Sequence, residues 1–299
     1  MDAREPHAFT SHRCSDGQPE IGSSMLPESD VPGGVHIQML GGFAVTVGGW
    51  TVPESIWRQR RAAGIIKLLA LEPGHRLHRE QLMDLLWPDL DYTAQLNNLR
   101  QALHHARRGL ESAGMPAGTA LERDGNIVVL ARNVQVQVDV DAFEMAVTSA
   151  WQQRTPAAAE AALALYGGDL LPDDRYEEWA EQRRTTLRAS YLALLARLAA
   201  FYDERGEHAD SIGAWQRLVA ADPTNEAANL ELMRHYATTG QRQLALAQFD
   251  QLMMALERDL DTSPEPATCE LAEAIRKGRF PEAGPPDAPA APDTPATPH

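Results

Sequence analysis

From Val35 to Val47 the chain reads VHIQMLGGFAVTV, with apolar side chains recurring at every second position. That is the period of a half-buried strand. Gly48-Gly49 then interrupts the pattern before WTVP, so the spacing predicts a small antiparallel sheet with a two-residue turn. The period changes next. In RQRRAAGIIKLLALEPG, Ile65, Ile66, Leu68, Leu69 and Leu71 make an apolar helix that Pro73-Gly74 ends. HREQLMDLLWPD predicts a short helix carrying Leu82, Leu85, Leu86 and Trp87, ended by Pro88. A third helix is predicted over AQLNNLRQALHHARRGL, Ala94 to Leu110. LERDGNIVVL then sets Asp124-Gly125 between strand-like flanks, a hairpin signal, and NVQVQVDVD alternates with period two. From Asp141 onward the chain is almost all helix-like, rich in Ala, Leu, Glu and Arg.

Strands, three helices and a hairpin, in that order, describe a winged helix-turn-helix with an N-terminal sheet, the hairpin being the wing. The helical half repeats itself. Leu198 pairs with Leu232, Tyr202 with Tyr236, Gly206 with Gly240, Ile212 with Leu246, Trp215 with Phe249 and Leu218 with Leu252, always 34 residues apart. This is the tetratricopeptide period, a helix-turn-helix unit with Gly at the turn between its helices. Two units are fewer than a stable stack needs, so upstream helices at about 141–167 and 174–197 are expected to complete it. The repeat aromatics fall on packing positions and read as core. The fold class is mainly α with a small β component: a winged helix followed by an α-helical TPR-like array. The expected domains are a disordered segment 1–34, a winged helix 35–140, the repeat array 141–280 and a disordered Pro/Ala-rich tail 281–299. Met25 is an alternative start.

Charge sharpens this picture. The chain has 27 Lys+Arg against 42 Asp+Glu, but the excess acid is not uniform. Residues 35–143 hold 11 of each sign, 144–280 hold 14 basic and 22 acidic, and 58–108 hold 9 basic and 5 acidic. A phosphate backbone feels the local field, so overall acidity does not exclude nucleic acid. The two cysteines, Cys14 and Cys269, make no disulfide framework or zinc-ligand spacing. A reducing cytoplasm is therefore expected. The N-terminus carries no secretory signal, and no stretch approaches the roughly 20 apolar residues of a membrane helix.

The third helix carries the chemistry. At about 100° per residue, Leu96, Leu99, Leu103, Ala106 and Leu110 gather on one side. Asn97, Asn98, Gln101, His104, His105 and Arg108 fall opposite, with Arg100 and Arg107 flanking the apolar stripe. Asn and Gln can pair two-point with adenine and Arg with guanine at major-groove edges. Arg100 and Arg107 are placed for phosphates, which fix register without reading sequence. No acid interrupts the run between Asp91 and Glu111. An ordinary solvated face is the competing reading. Arg58, Arg60 and Arg61 cluster at a helix start, where they oppose the helix dipole. They read either as phosphate contacts or as a solvated charge cluster.

HIQMLGGFAVTV, LLALEPGHRLHREQLMDLLWPD and AQLNNLRQALHHARRGL, followed by the 34-residue repeats, resemble the SARP-type bacterial transcriptional activators. Their winged helix is similar to that of OmpR-class response regulators, and their C-terminal half is a bacterial transcriptional activator domain of tetratricopeptide type. The resemblance covers roughly 35–280, and LLWPD and NNLRQALHHARR are its most specific parts. It implies sequence-specific binding to promoter repeats in double-stranded DNA, as a homodimer or pair, and recruitment of RNA polymerase. It passes the recognition-helix role to Asn97, Asn98, Arg100, Gln101, His104, Arg107 and Arg108, and wing contacts to Arg123 and Asn126. Asp89 to Thr93 becomes the polymerase-facing loop. The chain departs from the family in two places. His78 stands where members often carry a hydroxyl helix cap, and Asn126-Ile127-Val128 where they often carry a wing tyrosine. No phosphate-receiver domain is expected ahead of the winged helix, and no Gly-rich GK[ST] segment marks an ATPase.

The function expected is thus a DNA-binding transcriptional regulator, located in the cytoplasm and on the nucleoid when bound, with no membrane contact. A protein-interaction or ligand-sensing scaffold whose winged helix does not bind DNA is the alternative. An enzyme is not expected, because His75, His78 and Asp84 show no triad or metal spacing. No cofactor or metal is implied.

Overall fold

A computed structural model describes residues 34–279. The expectations for 1–34 and 281–299 lie outside these residues, apart from Gly34. The N-terminal sheet is built from β1 (Val35–Gln38), β2 (Ala44–Val47), β3 (Trp50–Thr51) and β7 (Val136–Val138). Its strand order is β3-β2-β1-β7. Val35 pairs with Val47 across the antiparallel β1–β2 ladder, and Val47 with Trp50 around Gly48-Gly49. Both glycines take positive φ, 54° and 87°, which this two-residue turn requires. Burial alternates along β1 and β2 as the sequence period demands. On its other side β1 pairs in parallel with β7. The alternation in NVQVQVDVD therefore yields only three strand residues before the chain turns helical at Asp139.

Four helices follow the first sheet: α1 (Glu54–Trp57), α2 (Arg60–Leu71), α3 (Arg79–Leu86) and α4 (Tyr92–Ser112). Arg58 and Gln59 separate α1 from α2, so the arginine cluster spans a break rather than one helix start. Every residue from Ala62 to Ala70 is buried, all of them apolar or small except Lys67, and a helix buried all round belongs in the centre of its domain. α3 stops before Pro88, because the residue before a proline avoids the α region. The wing pairs β5 (Leu121–Asp124) with β6 (Ile127–Leu130), and β6 also pairs with β4 (Arg76–His78). β4 has no counterpart among the elements that the sequence pattern predicts. The turn is Gly125-Asn126, one residue later than expected, with Asp124 paired opposite Ile127. Gly125 has φ 60°, and the first position of a type II′ turn is the one reserved for glycine.

The second half contains α5 (Asp139–Gln153), α6 (Pro156–Leu163), α7 (Glu178–Glu204), α8 (His208–Ala221), α9 (Glu226–Thr238), α10 (Arg242–Leu260) and α11 (Pro266–Arg276). The 141–167 region is two helices, not one. Arg154 turns left-handed at φ 54°, and the Thr155 hydroxyl caps α6 by accepting from Ala158 N at 3.3 Å. The expected 174–197 helix begins later, at Glu178, and continues as α7 to Glu204. The stack is thus α5/α6, α7/α8 and α9/α10, with α11 closing the end. Gly206 and Gly240, at φ 72° and 74°, sit at equivalent turns as the repeat predicts. Leu198, Leu232, Leu218 and Leu252 are buried at matching positions. Among the described residues no helix is long and apolar enough to cross a membrane.

The two halves share one core. Leu170, Leu171 and Leu187 belong to the same buried cluster as Ile37, Met39 and Leu69. Main chain joins main chain there: Leu171 N donates to Met39 O at 2.9 Å and Gly41 N to Asp169 O at 3.0 Å. A Cβ at Gly41 would stand 2.4 Å from Gly167 O. The backbones touch only because Gly41 has no side chain. Asp139, at the start of α5, accepts from Met39 N and Leu40 N at 2.8 Å each with one oxygen and from Val140 N at 2.8 Å with the other. Burial holds its carboxyl above the usual carboxylate range, although the three N–H groups pull it down. Lys67, in the middle of α2, is buried against Asp174 and lies 4.4 Å from the centre of the Phe43 ring. Arg184 on α7 fastens the same loop, its Nε donating to Leu170 O at 3.1 Å and its terminal nitrogen to Asp174 O at 3.2 Å.

Candidate nucleic-acid interface

The helix-turn-helix is α3, the loop 87–91 and α4. Each end of that turn is fastened locally. Asp91 caps α4, its carboxylate accepting from Thr93 N at 2.9 Å and Ala94 N at 3.0 Å. Gln95 turns inward and donates to Trp87 O at 2.9 Å, which ties α4 to the end of α3. His78 takes the place of the hydroxyl cap carried by the proteins this sequence resembles. Its Nδ1 accepts from Glu80 N at 3.4 Å while Gln81 accepts from His78 N at 3.2 Å, so an imidazole completes a reciprocal capping box.

The buried side of α4 comprises Gln95, Leu99, Ala102, Leu103, Ala106, Gly109 and Leu110. Leu96 is only half-buried, because the loop carbonyl of Trp87 draws Gln95 into the seam instead. The opposite side presents Asn97, Arg100, Gln101, His104 and Arg108, all exposed. Asn97, Gln101, His104 and Arg108 advance by three or four residues each and form one stripe along the helix. Asn98, His105 and Arg107 are half-buried at its edge. Arg100 points back to Asn97 at 3.5 Å, and the His104 and His105 rings lie 5.7 Å apart. Arg107 is already engaged within the fold, since its Nε donates to Leu121 O at 2.9 Å and pins the wing to the helix. Among the described residues Arg108 makes no hydrogen bond or ion pair, so its guanidinium is free for a ligand.

The other candidate residues fall into two places. Arg123 and Asn126 are exposed on the wing. Its two carboxylates, Glu122 and Asp124, would repel a phosphate chain, but Arg132 pairs with both. The hydrogen bond and the charge of Asp124 in turn raise the Arg132 guanidinium above its ordinary value. Sequence reasoning missed Arg132, whose partners lie back across the hairpin. Arg58 and Arg60 are exposed beside the C-terminal part of α4. Their neighbours Ile56 and Trp57 pack there so closely that a Cβ at Gly109 would stand 2.7 Å from Ile56 Cγ2. Arg61 instead reaches Glu177 at 3.5 Å, across to the helical half. Around the 87–91 loop, Leu85, Leu90 and Tyr92 are exposed among Asp84, Asp89 and Asp91. His75 sits in the turn before β4, His78 is used as a cap and Asp84 is exposed on α3.

Fold and site together define a winged helix with a helical-repeat domain fused behind it. Residues 138–276 match the family model of the bacterial transcriptional activator domain. Mycobacterium tuberculosis EmbR, in a structure of its complex with a low affinity phosphopeptide, shares the fold at a TM-score of 0.63 and 18% identity. The match covers 83% of this chain and 66% of that one, so the chain spans just under two thirds of its length. No curated protein sequence matches the chain. The segment behind the winged helix thus matches a bacterial transcriptional activator domain, and the chain as a whole shares the fold of EmbR.

Proposed function

We propose that this protein is a sequence-specific DNA-binding transcriptional regulator that works as an activator. One observation carries the reading: Asn97, Gln101, His104 and Arg108 form an exposed stripe of base-reading side chains on a helix whose other face is buried. Asn98 extends that stripe at its edge. Arg100, the free end of Arg107, and Arg58 and Arg60 near the helix C-terminus contact phosphates, and the wing adds Arg123 and Asn126. Direct repeats in a promoter are occupied by a dimer or pair, each α4 in a major groove about one helical turn from the next. The exposed Leu85, Leu90 and Tyr92 among acids around Asp89 to Thr93 suit a protein surface, here RNA polymerase. The units 35–140 and 141–280 act as reader and regulatory array, in the cytoplasm and on the nucleoid when bound. The test is a fluorescence shift assay of the full chain on the DNA upstream of its own operon, with selection of bound fragments from random DNA. Binding with no sequence preference and no dependence on Arg108 overturns the reading.

A second reading rests on a cavity of about 310 Å³ lined by Tyr166, Asp169, Arg188 and Tyr191. It makes the array a ligand-sensing or partner-binding scaffold and the winged helix a docking module without DNA affinity. Heparin retention of the full chain, with salt-dependent elution, separates the two.

A further inference from the structure

The turn between α7 and α8 brings together three side chains that the DNA reading does not use. Asp203 lies in the last turn of α7, His208 is the first residue of α8, and His235 is on α9 in the next repeat. Their ligand atoms all lie within 4.8 Å of one another. Asp203 Oδ2 stands 3.3 Å from His235 Nε2, and the two imidazole rings are 6.2 Å apart. Two ligands held about 2.0–2.1 Å from one tetrahedral zinc are about 3.3–3.4 Å apart, which is the separation found for that pair. His208 is exposed, and its ligand atom lies within the same 4.8 Å of the other two.

A second observation points to a cation. Asp203 Oδ1 is shielded from solvent and has no hydrogen-bond partner among the described residues, while the side chain as a whole is 35% exposed. A shielded carboxylate oxygen left unpaired is costly, and a cation at this position removes the cost. The surrounding sequence DERGEHAD carries four acids and one arginine, a field that draws cations. We propose that Asp203, His208 and His235 form a binding site for a divalent transition metal of the zinc class. Two imidazoles and one carboxylate with an open fourth position suit Zn²⁺ and the neighbouring late first-row ions better than Mg²⁺ or Ca²⁺. The site joins the turn of one repeat to the first helix of the next. Metal occupancy therefore stiffens the boundary between α7/α8 and α9/α10, and free-metal concentration becomes an input to the array.

The test uses the untagged full chain, stripped with a chelator and dialysed into chelator-free buffer. Zinc chloride is titrated calorimetrically, bound metal is counted by mass spectrometry, and melting is followed with and without zinc. One zinc per chain and a raised melting temperature are expected, with magnesium chloride giving neither. His208→Ala, at an exposed position, is expected to keep the metal-free melting temperature. It should weaken zinc by more than the roughly 10–100-fold that loss of an outer-shell partner costs. Asp203→Asn is expected to weaken zinc likewise. Zinc binding unchanged in both variants would assign the metal to other histidines such as His104 and His105 and overturn the proposal. So would a wild-type chain that retains no zinc. Neither readout involves DNA, so the outcome is independent of the regulatory reading.

Discussion

Replacing Asp139 tests whether one carboxylate holds the winged helix against the helical array. In Asp139→Ala, the N–H groups of Met39, Leu40 and Val140 all lose an acceptor that lies at 2.8 Å. Each buried donor left unpaired costs about 1–3 kcal/mol. Water reaches part of this half-buried site, and removing a desolvated carboxylate returns something, so a net loss of about 2–4 kcal/mol is expected. For a body of this size that lowers the melting temperature by roughly 5–15 °C. Asp139→Asn should cost less: its carbonyl keeps the bonds from Met39 and Leu40, while its amide faces Val140 N–H donor to donor. The pH dependence has a definite sign. The folded carboxyl lies above its ordinary value of 3.8 because burial outweighs its hydrogen bonds. The native state then holds the proton longer than the unfolded chain, and this linkage loses stability as pH rises from 3.8 to the raised value. Measured by urea unfolding across that window, the margin of wild type over Asp139→Asn should narrow as pH rises. An alanine variant that melts within about 2 °C of wild type, on the same scale, would refute the assignment of Asp139 as the anchor.

The interface residues separate by assay. Arg108→Ala should weaken binding to the preferred sequence by about 1–3 kcal/mol and relax the choice of base at one position. Arg107→Ala should weaken binding evenly across sequences, flatten the salt slope by about one unit, and also lower the melting temperature through the lost bond to Leu121. His78→Ser should leave the melting temperature equal or higher, whereas His78→Ala should cost about 1 kcal/mol by loss of the α3 cap. Gly109→Ala, which in an open helix would stabilise by about 1 kcal/mol, should instead destabilise by about 1–3 kcal/mol, because the new methyl meets Ile56 at 2.7 Å. A thermal melt of each variant checks the last two.

Elements whose period is set by their own residues are readable in the sequence. The alternation in β1 and β2, the apolar run of α2 and the 34-residue offset all survive unchanged, because each is set by the burial of its own residues. Elements fixed by distant partners are not. β4 begins two residues after Pro73-Gly74, and it is a strand only because β6 offers it a free edge. The wing turn falls one residue from its expected place because Asp-Gly fits a hairpin with either residue at the first position. Pairing of Leu121 with Leu130 across the wing, both buried, selects Gly125-Asn126. The break at Arg154 does leave a mark in the sequence: Thr155-Pro156 is a cap followed by the residue favoured at the first helical position. On α4 the exposed stripe can be read from spacing, but the inward turn of Gln95 cannot, since its partner is a backbone carbonyl of the preceding loop. Asp203, His208 and His235 escape for the same reason. They sit on three helices and meet only through the superposition of two repeats.

The clasp between the halves constrains how an array could influence DNA. Many two-part proteins are joined by linkers that leave relative motion free. Here the joint contains two main-chain hydrogen bonds, a glycine-to-glycine approach and a buried Lys67–Asp174 pair. Separating the halves would also break the Lys67–Asp174 pair beside the Phe43 ring and expose the apolar surface packed around it. Hinge motion at this joint is therefore opposed by several independent terms. A ligand or partner acting on the far repeats acts on α4 by reorienting a single body, or by changing how two such bodies pack side by side on adjacent sites. A winged helix cut off after residue 143 is then a different molecule. It lacks Leu170, Leu171 and Leu187 of its own core, and weak DNA binding by such a fragment would reflect its instability before it reflected its chemistry.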